Sequence, residues 1–147
     1  MKTLASQLIG TWQLLSREDR TAAGERRIDP GLGGDPVALL VYDAAGNFAA
    51  QFMKRDRSSD AVAVTGRAGL NNSSAVNGYD AYFGSYTVDE ASGSVTQVLH
   101  GALSRGDVGK VVTREMHVDG DTLTIELATT SADGEPVTRT LIWRRSA

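Results

Sequence analysis

From Val37 onward, apolar residues recur at every second position, the period of half-buried β-strands. Residues 37–43 (VALLVYD) and 47–55 (NFAAQFMKR) are joined by Ala44-Ala45-Gly46, with glycine where a tight turn favours positive φ. Residues 81–89 (AYFGSYTVD) and 94–103 (SVTQVLHGAL) follow, joined by Glu90-Ala91-Ser92-Gly93. Residues 110–118 (KVVTREMHV), 122–130 (TLTIELATT) and 137–145 (VTRTLIWRR) complete the series. Asp119-Gly120-Asp121 and Ala132-Asp133-Gly134-Glu135 connect these last three, and each contains the Asp-Gly pair that hairpin turns favour.

The N-terminal region reads differently. Thr3 is placed to cap a short helix with Leu4, Leu8 and Ile9 on one side; Gly10 ends it, and residues 11–16 (TWQLLS) form a strand. Residues 17–36 are polar and glycine-rich, which predicts a long exposed connection. Residues 55–80 show no sustained alternation and read as a flap over one end of the fold or as a plainly flexible loop, with a helical turn or short strand at residues 61–64.

The pattern predicts one all-β domain over residues 1–147. It is an antiparallel up-and-down β-barrel of about eight strands with a short N-terminal helix, closure being the means of protecting the sheet edges. No helical stretch is long enough for a parallel βαβ unit.

Composition narrows the function. The net charge of -3 shows no clustered Lys/Arg stripe of the kind that binds a polyanion, so nucleic acid is not an expected partner. The chain has no cysteine, hence no disulfide or thiolate metal site. The start, MKTLASQLIGTW, is too short and polar for a signal peptide, and no run approaches a membrane span, so a cytoplasmic location is expected. No P-loop, nucleophile elbow or dinucleotide fingerprint occurs; GLGG at residues 31–34 lacks the lysine and helix that would follow. His100 and His117 have no metal-ligand spacing, and neither metal nor cofactor is expected.

An ordered set of short motifs runs along almost the whole chain. It comprises Gly10-Thr11-Trp12, Leu39-Leu40-Val41-Tyr42, Asp43-Ala44-Ala45-Gly46, Ala50-Gln51-Phe52-Met53, and Arg55-Asp56-Arg57. The run from Gly78 to Asp89 (GYDAYFGSYTVD) follows, then Gly120-Asp121-Thr122-Leu123 and Leu141-Ile142-Trp143. In this the chain resembles the lipocalin-like domain family of bacteria and fungi. The resemblance implies a small barrel around an apolar pocket, with Trp12 at the closed end beneath Arg144 or Arg145. The absence of disulfide cysteines and a leader sets the chain apart from secreted lipocalins.

Strand parity supplies candidate ligand-binding residues. Tyr82 and Tyr86 share a face and offer apolar rings with hydroxyls able to orient a ligand; ordinary core tyrosines would look the same. In residues 47–54, Phe48, Ala50 and Phe52 form one face, and Gln51 and Met53 the other; either face suits a pocket. Arg114, between Val112 and Met116, reads as a receptor for a ligand carboxylate or enolate, or as half of a rim salt bridge; Arg139 admits the same two readings. His100, in line with Thr96 and Val98, suits acid–base chemistry or a solvent-facing position.

Three functions follow. The first is binding of a small, largely apolar molecule in the barrel, with Tyr82, Tyr86, Gln51, Met53, His100 and Arg114 around it. The second is a cofactor-free cyclase or isomerase for a small hydrophobic metabolite. The third is a filled barrel acting as an interaction module, a homodimer included.

Overall fold

A computed structural model of the chain describes residues 2–57 and 75–146. Among these, a short helix α1 (Leu4–Leu8) is followed by β1 (Gly10–Arg20), β2 (Arg26–Arg27), β3 (Val37–Tyr42), β4 (Asn47–Met53) and β5 (Tyr79–Asp89). Then come β6 (Ser94–Ala102), a single 3-10 turn (Arg105–Asp107), β7 (Val111–Asp119), β8 (Thr122–Thr130) and β9 (Pro136–Arg145). Every pairing is antiparallel and mostly between sequence neighbours. β1 pairs with both β3 and β9, which closes eight strands into a barrel; β2 is a two-residue addition to the far end of β1. The expected barrel is the fold observed. Among the described residues no helix is long and apolar enough to cross a membrane.

Helix α1 plugs one end. The Thr3 hydroxyl accepts the Ser6 N–H at 3.1 Å and the Ser6 hydroxyl accepts the Thr3 N–H at 3.2 Å, a reciprocal cap. The next two N–H groups, of Leu4 and Ala5, donate to the Glu90 carboxylate at 2.8 and 3.0 Å. Leu8 is fully buried, whereas Ile9, expected on the same side, is 40% exposed because the chain leaves the helix there. Gly10 makes that exit with φ of 139°, a backbone that side chains disfavour.

Two bulges decide which residues face inward. The β1–β9 register shifts between Leu14 and Ser16, leaving Leu15 exposed. One inserted residue reverses the alternation, so Arg17 and Asp19 turn into the barrel in place of Ser16 and Glu18. Burial of charge requires partners. Arg17 meets Asp29 at 3.0 Å, and Arg139 grips Asp19 through Nε and Nη2 at 2.8 and 3.0 Å. The long exposed connection expected over residues 17–36 is thereby corrected: β1 continues to Arg20, and Asp29, Leu32 and Pro36 are buried at the barrel's second end.

The other bulge lies between β5 and β6. Phe83 pairs with Gly101 and Gly84 with Leu99, so His100 is the extra residue. A Cβ on Gly84 would lie 1.7 Å from the Val98 carbonyl oxygen, which excludes any side chain at this crossing. β5 begins at Tyr79, two residues earlier than its alternation suggests, because Tyr79 and Asp80 already pair with Met53 and Phe52. Of the flap expected over residues 55–80, residues 58–74, including 61–64, lie outside the described residues.

Candidate functional site

Among the described residues, inward side chains do not fill the barrel. A partly open cavity of about 170 Å³ lies between the plugged end and the loop end. Its apolar wall includes Leu40, Phe52, Leu99, Ile125 and Leu141, supplied by five strands whose alternation puts them on the inner face. Aromatic rings pack in sequence around it: Phe48 against Tyr82, Tyr82 against Phe52, and Phe52 edge-on to Trp143 at centroid distances of 6.0, 6.3 and 5.8 Å.

The polar lining is arranged in tiers. Toward the loop end stand the two ion-paired arginines, Arg17 and Arg139, with Asp107 and its partner Lys110, 2.6 Å away, at the rim. Toward the plugged end, Gln97 Nε2 donates to the Tyr42 hydroxyl at 2.7 Å, which donates in turn to Met116 Sδ at 3.7 Å. Burial pushes the Tyr42 hydroxyl far above the usual phenol range. This pair is satisfied within the protein.

Three lining groups are not. Arg114 makes one hydrogen bond, from Nη1 to the neighbouring Thr113 carbonyl at 3.1 Å, and no carboxylate pairs with it among the described residues. Desolvation lowers its pKa, and Arg139 lowers it further, while Tyr82 and Tyr42 act in the opposite direction. Asp80 is 3% exposed, and its Oδ1 has no hydrogen-bond partner among the described residues. Burial raises its carboxyl to about 6, against a lowering contribution from the Ala81 N–H. Trp143, 1% exposed, has an indole Nε1 that also lacks a partner among the described residues. Tyr82, two residues beyond Asp80 on the same face of β5, is pushed to about 12 by desolvation and then by the Asp80 charge, with Arg114 pulling it down. Its hydroxyl therefore senses both unmatched charges.

Tyr82 and Arg114, of the six residues nominated from sequence, line this cavity together. Tyr86 points inward but closer to the plug, its ring edge-on to Tyr42 at 4.8 Å and its hydroxyl donating to the Asp43 carbonyl at 2.8 Å. Gln51, Met53 and His100 lie away from it. Gln51 is exposed and bonds the Tyr79 hydroxyl, and Met53 follows the same outward parity because Phe48, Ala50 and Phe52 take the interior. His100 is exposed on the outer surface, 3.0 Å from the Ser85 hydroxyl.

Asp80, Gln97 and Trp143 were not singled out for the cavity by sequence. Asp80 escaped because β5 begins before its visible alternation, although its i, i+2 relation to Tyr82 is the signal that finds it. Gln97 sits between Val95 and Leu99 on the true inner face, but Thr96 and Val98 make the opposite face look equally apolar. Trp12 is buried beside the plugging helix, its indole Nε1 donating to the Leu8 carbonyl at 2.9 Å. Arg145, not Arg144, stands over the indole at 4.3 Å.

With closure, plug and capped tryptophan in place, the family model of the lipocalin-like domain matches residues 9–146. The chain belongs to the lipocalin-like domain family. No curated protein sequence gives a significant match. Among the described residues, no cluster of His, Cys, Asp and Glu is arranged to hold a metal ion.

Proposed function

We propose that this lipocalin-like barrel holds one small, largely apolar molecule bearing an anionic or enolate oxygen. The observation that carries the reading is Arg114, a guanidinium inside an apolar-walled cavity whose hydrogen bond goes to a backbone carbonyl next door. Withdrawing a guanidinium from water is costly unless an acceptor replaces the lost hydration, and an anionic ligand oxygen is such an acceptor. Eight-stranded barrels are of the size that either fills with side chains or encloses one small ligand, and the cavity here supports the second case.

Native mass spectrometry after incubation with a cellular metabolite extract tests the reading. The wild type is expected to retain a small mass that the Tyr82→Phe/Arg114→Leu double variant loses. Equal retention by both proteins would overturn the role given to these two residues.

A second reading, a cofactor-free isomerase or cyclase, draws support from Asp80. A carboxyl titrating near neutrality beside a cavity is suited to taking a proton from a carbon acid, while Arg114 steadies the enolate oxygen formed. Release of a product whose spectrum differs from that of the captured molecule, absent with Asp80→Asn, would favour this reading over simple binding.

A further inference from the structure

Asp80 and Trp143 both line the cavity, and among the described residues each carries a buried polar atom with no hydrogen-bond partner. The Asp80 carboxylate oxygen is a pure acceptor when ionised, and the Trp143 indole is a pure donor. Both side chains are more than nine-tenths buried, so neither is supplied by bulk water. Arg114 adds further donors with no carboxylate set against them among the described residues. Unmet buried polar groups are costly, and sites that present them discriminate strongly for ligands that complete the set.

Size narrows the choice further. By volume alone, a cavity near 150 Å³ accepts a benzene-sized molecule; this one, at about 170 Å³ with one wall apolar and the other polar, leaves room for one ring with small polar substituents. The surrounding rings of Phe52, Tyr82 and Trp143 suit a flat apolar body.

We propose that the ligand is a single-ring hydroxy acid, its carboxylate received by Arg114 and the Trp143 indole N–H, and its hydroxyl donated to Asp80. This rests on the interior-binding reading above and specifies the chemistry of that site. It makes two unconnected demands on the ligand, an acceptor-rich end and a donor; a fatty acid meets only the first, and an unsubstituted aromatic ring meets neither.

The chain has two tryptophans, so a proton–nitrogen correlation spectrum of the labelled full-length protein has two indole signals, assigned with Trp143→Phe. Trp12 Nε1 already donates to the Leu8 carbonyl at 2.9 Å, which makes the Trp143 signal the reporter of occupancy. Benzoate, phenol, toluene, and meta- and para-hydroxybenzoate are titrated near neutral pH, with affinities from calorimetry. One of the hydroxybenzoates is expected to bind about ten-fold or more tightly than both benzoate and phenol while moving the Trp143 signal. Asp80→Leu should abolish the advantage over benzoate, and Arg114→Leu the advantage over phenol. Asp80→Asn, which keeps a carbonyl acceptor and the shape of the side chain, should retain part of the first advantage. If benzoate or phenol moves the signal with equal affinity, the hydroxy-acid assignment is overturned while interior binding stands. If no probe, toluene included, moves the Trp143 signal, interior binding itself fails and the assignment falls with it.

Discussion

The guanidinium carbon of Arg145 lies 4.3 Å from the centroid of the Trp12 ring, while its Nη1 and Nη2 donate to the carbonyls of Ile9 and Gln7 at 2.8 and 2.7 Å. A residue of the last strand thus covers the indole of the first and satisfies carbonyls at the end of the plugging helix. With the Nε–Asp121 ion pair at 3.5 Å, four interactions converge on one planar group, which is why lysine cannot replace it.

Arg145→Ala is expected to lower unfolding free energy by about 2–3 kcal/mol, combining the lost cation–π contact with two charge-assisted hydrogen bonds. Arg144→Ala, at an exposed position next door, should stay within about 0.5 kcal/mol of wild type. Urea unfolding of the two variants side by side decides the point; equal losses would mean the stacked geometry carries no special stability.

The Arg17–Asp29 pair is buried on both sides, with side-chain exposures of 4% and 1%. Arg17→Met leaves Asp29 buried without its cation and should cost about 3–5 kcal/mol. The Arg17→Met/Asp29→Leu double variant should recover part of that loss, since no unpaired charge then stays inside. A double-mutant cycle on thermal unfolding measures this coupling, and simple additivity would contradict it.

Asp80 sets a pH dependence whose sign is fixed by the direction of its shift. The folded carboxyl titrates at about 6 and the ordinary value is 3.8, so the folded state holds the proton more tightly than the unfolded chain. Between about pH 4 and pH 6 the folded state carries more protons, and stability from this group falls as pH rises. The penalty is fully present above about pH 6. Asp80→Asn should therefore be more stable than wild type there, by up to about 3 kcal/mol, with the difference vanishing below about pH 4. Unfolding free energies of both proteins across this range give the difference curve; a flat curve would remove Asp80 as its source.

The two glycines of the β5–β6 bulge should differ sharply in tolerance. A methyl at Gly84 strikes the Val98 carbonyl oxygen, part of the barrel backbone, whereas one at Gly101 strikes the Phe83 ring at 2.2 Å. Phe83 is 57% exposed and free to swing outward. Gly84→Ala is expected to abolish folding or cost more than about 3 kcal/mol, and Gly101→Ala to cost about 1 kcal/mol. Expression yield and thermal midpoint separate them.

Strand order, hairpin positions and barrel closure were legible because alternation and turn chemistry are local signals, and residues 37–53 and 110–145 carry both. The polar half of the cavity was harder to read. Arg17 and Asp19 face inward only because Leu15 is squeezed out of register, and a bulge of one residue leaves no compositional mark. His100 shows the same limit from the other side: it occupies the bulge of β6, on the surface that Thr96 and Val98 also share. Gln51 and Met53 illustrate a different ambiguity. Either face of β4 could have been internal on chemistry alone, and burial of Phe48 and Phe52 settled the matter.

The closed ladder has a kinetic consequence. A wall hydrogen-bonded all the way round has no seam that parts easily, and α1 with Trp12 stops one end. At the other end, Leu32 is buried and Asp29 ties its loop to Arg17. An occupant too large for the opening beside Asp107 and Lys110 leaves only when the Arg17–Asp29 clasp parts, an opening of local structure and not a rupture of the contacts that hold the occupant itself. Residence time would then be timed by the clasp, so two occupants of very different affinity would depart at similar rates and differ instead in how readily they are captured.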